Sequence, residues 1–542
     1  MMRFIVAQKQ MNLSRLIVIA LSAIALASCG NQPSALATQT QPGNSGQTFA
    51  DWCREKADLN PDAKHTVEVL LLIAGTNDCN GADRELSSLT ELSVDTNEIS
   101  DLKPLESFTK LKELDLGWNK ISDLKPLKSL TNLTVLKLHD NQISDIKPLE
   151  SLTNLKRLNL HTNKIIDIQP LESLTNLTWL ILQSNQISDI KPLESLTNLT
   201  ELHLFGNKIS DIKALESLTK LTELYLGNNK IRDIKPLESL TKLTSIELFG
   251  NQISDIKPLA FLTKLTSLHL GDNQISDIKP LQFLTDLNSL QLSNNQISDI
   301  KPLEFLTQLE QLELNNNKIS DIKPLESWTH LTQLKLLKLN NNKISDIKPL
   351  EFLTNLIWIE ISNNKISDIR PLKSWTHLTQ LERLELNNNQ INDIKPLEFL
   401  TNLNSLHLFG NQISDIKPLQ SLTNLMEISL DNNKISDIKP LQSLTKLTRL
   451  KLRVNQISDI KPLASLINLT ELYLNNNKIS DIKPLLSLTN VTWLELSNNL
   501  LGDIKPLASL TKLTYIQLGG NPIASKTCPL SPESICNWEV WN

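Results

Sequence analysis

The sequence predicts a repeat solenoid, an arc of stacked coils with one parallel β-sheet along its concave face. Three observations carry that prediction. From Leu89 the chain repeats every 22 residues as L-x-x-L-x-L-x-x-N-x-I-S-D-I-K-P-L-x-S-L-T-x, and self-similarity at a fixed period marks stacked supersecondary units. One asparagine position recurs in every copy, from Asn97 and Asn119 through Asn251 to Asn499 and Asn521, which makes twenty coils. The apolar fraction is 40% while aromatics supply only 4%, so a core of leucine and isoleucine fills one recurring shape.

Composition bounds the function before any element is placed. The 542 residues carry 54 Lys+Arg against 59 Asp+Glu, a net charge of −5. A chain so balanced is not built to coat nucleic acid or an acidic membrane surface. There is no P-loop, H-E-x-x-H, G-x-S-x-G, C-x-x-C or EF-hand loop. No cofactor and no enzymatic activity are expected.

The N-terminal region reads as an address. Met11-Asn12-Leu13-Ser14-Arg15 precedes an apolar run over residues 16–27, broken only by Ser22, that ends in Leu26-Ala27-Ser28-Cys29. That run is too short for a stable membrane span. It resembles a bacterial lipoprotein signal. The resemblance implies a signal peptide over residues 1–28, an acylated Cys29, and export to a lipid-anchored position. Gly30 after the cysteine implies the outer membrane if the cell has two. Residues 29–48 carry no charge from Gly30 to Gln47 and are rich in Gly, Ser, Thr, Gln, Asn and Pro, a flexible tether. Residues 49–88 do not fit the repeat and are expected to cap the first coil. Within them Val67, Leu70, Leu71 and Ala74 follow helical spacing up to Gly75, a helix stop.

Within a coil, the alternation of L-x-x-L-x-L gives a short strand with leucines inward. Ile, Ile, Leu and Leu point inward again later, so seven apolar side chains per coil face the axis. The asparagine stands where the chain leaves the strand, and its amide can satisfy backbone groups that burial would leave unpaired. The following D-I-K-P-L cannot continue as strand, because proline fixes φ and lacks a donor. It reads as an extended or 3₁₀ segment on the convex face, with Asp and Lys as solvated charge ladders. Ala214 replaces the proline once, with little consequence expected. Two steps, Asn317 to Asn342 and Asn364 to Asn389, are 25 residues long, and both carry Ser-Trp-Thr-His, beginning at Ser327 and Ser374. A single coil cannot offset the entropy of fixing its backbone, so stability must come from stacking.

This pattern, over residues 89–521, resembles the leucine-rich repeat family in its 22-residue class, found in bacterial internalins and in phosphatase regulatory subunits. The resemblance implies an α/β-type horseshoe or arc whose concave face binds protein. Residues 522–542 break the period and form a C-terminal cap. With Cys29 lipidated, four cysteines remain, allowing three connectivities. A disulfide spans Cα separations of about 4.4–6.8 Å, whereas the whole solenoid separates the caps. Only Cys53–Cys79 and Cys528–Cys536 satisfy both conditions.

Variation concentrates on the strand positions that face outward. Aromatics stand there or in the adjoining turn at Trp118, Trp179, Phe205, Tyr225, Phe249, Trp358, Phe409, Tyr473, Trp493 and Tyr515, a row of exposed rings expected to contact a partner. The densest stretch lies on coils five to nine. One outward column reads Ile181, His203, Tyr225, Glu247 and His269, flanked by Trp179, Phe205 and Phe249. These eight are the expected partner-binding residues. His139, His161, His203, His269 and His407 occupy five different coils without a ligand-spaced partner, so no metal is expected. Arg449, Lys451 and Arg453 line one basic strand, a weak anion contact. The sequence thus points to a non-enzymatic cell-envelope scaffold that binds a protein, or an envelope glycan, on its concave face, touching the membrane through its lipid alone. A passive envelope spacer and a regulatory subunit of an enzyme such as a phosphatase are the alternatives.

Overall fold

The structure, a computed structural model, describes residues 46–539. The expected signal peptide, Cys29 and most of the tether lie outside these residues. From Thr48 onward the chain forms one unit. No helix among the described residues is long and apolar enough to cross a membrane.

Three helices precede the first coil: α1 (Phe49–Arg54), α2 (Pro61–Ala74) and α3 (Cys79–Leu86). Each starts on a side-chain cap, from Thr48, Asn60 and Asp78 respectively, which satisfies an otherwise orphaned backbone N–H. Helix α2 ends at Gly75 with φ 65°, the left-handed stop expected from the sequence. Its Val67, Leu70 and Leu71 are buried in the core, and Phe49 of α1 packs on Phe108 of the first coil, ring centroids 5.8 Å apart. The Cys53–Cys79 disulfide ties α1 to α3 with Cα atoms 5.5 Å apart.

Each coil then contributes one three-residue strand, from β1 (Glu91–Ser93) to β20 (Tyr515–Gln517). All pair in parallel with the preceding and following strands, and the register advances by one coil length, as in Ile181↔His203 and His203↔Tyr225. Twenty strands were expected; the sheet has twenty-one. Cys536–Asn537 of the C-terminal cap adds β21, with Cys536 opposite Ile516, and the Cys528–Cys536 disulfide holds it there. A two-residue strand carries no periodic signal, so the sequence hid it.

Coil five shows the core arrangement. Leu177, Leu180, Leu182, Ile187, Ile190, Leu193 and Leu196 are at most 2% exposed, the seven inward positions expected. The asparagines form a continuous ladder. Asn185 Oδ1 accepts from the Ile165 N–H of the coil before at 3.0 Å, and its Nδ2 donates to the carbonyls of Leu160 and Leu182 at 3.0 and 3.1 Å. The residue before the ladder asparagine takes positive φ in all twenty coils. Asn, Gly and Asp dominate there because they enter the left-handed region at least cost. Trp118 and Val454 occupy it too, at φ 53° and 52°.

Most coils return through a five-residue 3₁₀ segment such as Lys191–Ser195, opened by proline. The aspartate of D-I-K is structural as well as solvated: Asp189 Oδ1 accepts from the Lys191 N–H at 2.9 Å and opens that turn. Lys213–Ser217, with Ala214 in place of proline, is unchanged in form. Two further ladders run alongside. Ser195 Oγ donates to Glu172 O at 2.8 Å, and Asn198 Nδ2 donates to Thr175 O at 2.9 Å. The Asn-Leu-Thr triplets are therefore repeat positions with a backbone partner. In the two long coils the 3₁₀ segment extends to eight residues, Lys323–His330 and Arg370–His377. Trp328 and Trp375, each 1% exposed, fill the added volume.

Candidate functional site

The outward face of β5 to β9 is set by strand alternation. In β5 (Trp179–Ile181) Leu180 is buried while its two neighbours face out. In β6 (Glu201–His203), β7 (Glu223–Tyr225), β8 (Ser245–Glu247) and β9 (Ser267–His269) the same pattern recurs. Strict register places Ile181, His203, Tyr225, Glu247 and His269 in one column. Trp179 stands in the column beside it, and Phe205 and Phe249 follow their strands by two residues. The structure brings all eight expected residues onto one surface.

It also corrects their exposure. These eight are half-buried, because strands about 4.8 Å apart let rings stack on one another. His203 stacks on Tyr225 with centroids 4.2 Å apart, Phe249 on His269 at 4.4 Å, and Phe205 leans on Phe249 at 5.5 Å. The Arg157 guanidinium lies over the Trp179 ring at 4.6 Å. Of the aromatic row, Trp118 and Phe409 alone are exposed. The face is a packed, amphipathic ring surface rather than a set of free side chains.

Two of its polar side chains are partnered within the sheet. His203 Nε2 sits 2.6 Å from Glu201 Oε1, and Tyr225 O–H donates to Glu223 Oε2 at 2.7 Å. Burial, reinforced by Glu223, pushes the Tyr225 hydroxyl well above its ordinary value. Burial likewise raises the Glu247 carboxyl and lowers the His269 imidazole. All three shifts favour the neutral form.

The three cations of the basic strand are paired with carboxylates. In β17 (Arg449–Lys451) Arg449 Nε donates to Glu471 at 2.7 Å, Lys451 Nζ lies 3.4 Å from Glu427, and Arg453 Nε donates to Glu495 at 3.1 Å. His407, Lys451 and Arg449 converge on Glu427 and hold its carboxyl down at about 2. Arg449, Lys451 and Arg453 each meet an acidic neighbour one or two coils away, a pairing invisible along the sequence.

Two features escaped sequence reasoning. Phe261, Phe283 and Phe305 replace the ladder serine in three consecutive coils and are exposed on the 3₁₀ side; their 22-residue spacing is the signal that finds them. His139 and His161 were read as isolated, yet they stack face to face beside Asp140.

Comparison with known families places this architecture. A profile described as leucine-rich repeats in two copies matches nine successive segments from residue 87 to residue 487, and a second leucine-rich repeat profile matches residues 467–523. The chain belongs to the leucine-rich repeat family. Among solved structures, this leucine-rich repeat protein is similar to an internalin from Listeria monocytogenes, at 36% identity over 70% of this chain and 97% of that one, TM-score 0.53. It is also similar to a leucine-rich repeat protein of Leptospira interrogans, at 26% identity over 76% and 96% of the two chains, TM-score 0.54. The Arabidopsis receptor kinase HAESA, solved with a peptide hormone and a co-receptor, shares the fold at 24% identity over 80% and 81%, TM-score 0.57. No curated protein sequence matches the chain.

Proposed function

We propose that this leucine-rich repeat protein is a non-enzymatic binding scaffold of the bacterial cell envelope, tethered through a lipid on Cys29, whose sheet face docks a protein. The observation that carries the reading is the continuous patch of stacked rings on β5 to β9, set in an array whose core and return segments scarcely vary. Similarity to a bacterial internalin supports a protein as the partner. Half-buried aromatics suit such a contact, because they bring large apolar area at low conformational cost.

The test is a comparison of wild type with the Trp179→Ala, Tyr225→Ala, Phe249→Ala triple variant. Both are immobilised and presented with envelope proteins and, separately, with envelope glycans. Wild type is expected to retain a protein that the triple variant binds at least tenfold more weakly, while both remain folded by circular dichroism. Equal retention by both proteins removes the patch, and retention of glycan alone replaces the partner class.

Anchoring is tested independently. Cys29→Ala is expected to release the protein from washed membranes into the soluble fraction. Persistent membrane association of that variant overturns the lipid tether.

A further inference from the structure

His139 and Asp140 follow β3 (Val135–Lys137), and His161 follows β4 (Arg157–Asn159), at the turn that ends each strand. The sheet hydrogen bonds continue into these turns. Trp118 N–H donates to His139 O, and Asp140 N–H donates to His161 O, both at 2.9 Å. The backbone positions of the two coils are thereby fixed relative to one another. The imidazoles of His139 and His161 stack with centroids 4.8 Å apart and planes 14° from parallel. Asp140, held at φ 53°, turns its carboxylate toward both.

The two distances from Asp140 are close to those within a coordination sphere, and a modest turn of the imidazoles completes it. Asp140 Oδ2 lies 3.5 Å from His139 Nδ1 and 3.5 Å from His161 Nδ1, and one ligand atom from each of the three residues falls within 4.8 Å of the others. A tetrahedral ion with bonds of about 2.0–2.1 Å holds its ligands about 3.3–3.4 Å apart. At 3.5 Å the atoms are too far for good hydrogen bonds and near the right separation for a shared cation. His139 Nδ1 and Asp140 Oδ2 are both buried without a hydrogen-bond partner, which a native fold rarely leaves unexplained. His161 Nδ1 contacts only the Thr162 hydroxyl besides, at 3.0 Å. The pocket is shaped for the ring. A Cβ on Gly117 would fall 2.0 Å from His139 Cε1, so only glycine lets the imidazole lie there.

We propose that His139, Asp140 and His161 form a three-ligand site for a divalent transition-metal ion of the zinc class. Two imidazoles and one carboxylate suit zinc, cobalt, nickel or copper, whereas calcium and magnesium demand six or more oxygens. Three protein ligands leave the fourth position to water, and Trp118, 59% exposed, stands edge-on to His139 at 6.4 Å on the rim of the site. The ion joins coils three and four and presents an open coordination position on the same side of the chain as the ring patch.

The test uses the full chain without an affinity tag, stripped with chelator. Titration with Zn²⁺ by calorimetry and with Co²⁺ by visible absorption is expected to show one equivalent bound, the cobalt complex giving the intense ligand-field bands of a four-coordinate site. His139→Gln, Asp140→Asn and His161→Gln are each expected to weaken zinc binding about tenfold or more. Asparagine tolerates the left-handed backbone of residue 140, so Asp140→Asn is expected to melt like the metal-free wild type. His407→Gln, which alters a histidine set between Glu385 and Glu427, is expected to bind zinc as wild type does. Absence of stoichiometric uptake by the wild type overturns the proposal. So does uptake that survives both Asp140→Asn and His161→Gln.

Discussion

Asn251→Ala is expected to destabilise the solenoid by about 3–5 kcal/mol. The Asn251 side chain is 8% exposed and holds four backbone groups at once. Its Oδ1 accepts from the Ile231 N–H at 3.0 Å, and its Nδ2 donates to Leu226 O and Leu248 O at 3.0 Å and to Phe249 O at 3.3 Å. Truncation leaves those groups buried, and each unsatisfied one costs about 1–3 kcal/mol. Asn97, at the start of the ladder, is the contrast. It is half-buried, and its amide donates only to Asp95 O, at 2.8 Å, so Asn97→Ala is expected to cost about 1 kcal/mol. Urea unfolding of both variants measures the difference. Equal losses would mean that the ladder amides act one by one, without bridging coils.

Trp328→Ala is expected to cost about 3–5 kcal/mol, the range for emptying a packed site of this size. The indole is 1% exposed, and its Nε1 has no hydrogen-bond partner. The whole effect is therefore packing, with no orphaned acceptor left behind. Trp328→Phe, which removes the unpartnered N–H while keeping most of the volume, is expected to cost less than half as much. One coil separates Trp328 from Trp375, so the two alanine variants are expected to combine additively within about 0.5 kcal/mol. Thermal and urea melts of the single and double variants check this. A polar role for the indole would show instead as equal losses for Phe and Ala.

Why so much of the fold was legible in the sequence follows from the repeat itself. When residue i and residue i+22 are alike, stacking them in register is the only arrangement that buries all seven apolar positions together, and Leu180 over Leu202 over Leu224 is the result. The cysteine pairing followed because distance along a stacked array is fixed by coil number. What failed was inference about the surface. Outward was equated with exposed, yet rings on neighbouring strands bury one another, as His203 and Tyr225 do. Cations were counted strand by strand, while Arg453 finds Glu495 two coils away. Histidines in different coils look isolated along the sequence, whereas the solenoid places residues one coil apart side by side. In this fold 22 plays the part that 3 and 4 play in a helix, and His139 and His161 are such a pair.

The strict register of the sheet bears on how such a chain changes its length. Each 22-residue interior coil offers its predecessor and its successor the same leucines, the same ladder amide and the same strand edge, so any two such coils are interchangeable at a junction. Excising a block of whole coils from the uniform stretch between Asn119 and Asn295 rejoins two faces that already fit, and inserting a block does the same. Gene-level crossover between misaligned repeats is thus buffered by the fold, provided that it moves whole coils. The 47-residue spacing of Trp328 and Trp375 has the form of such an event, one long coil copied together with its short neighbour. The helical cap and the disulfide-held β21 stand outside this exchange, because neither has a second copy with which to recombine.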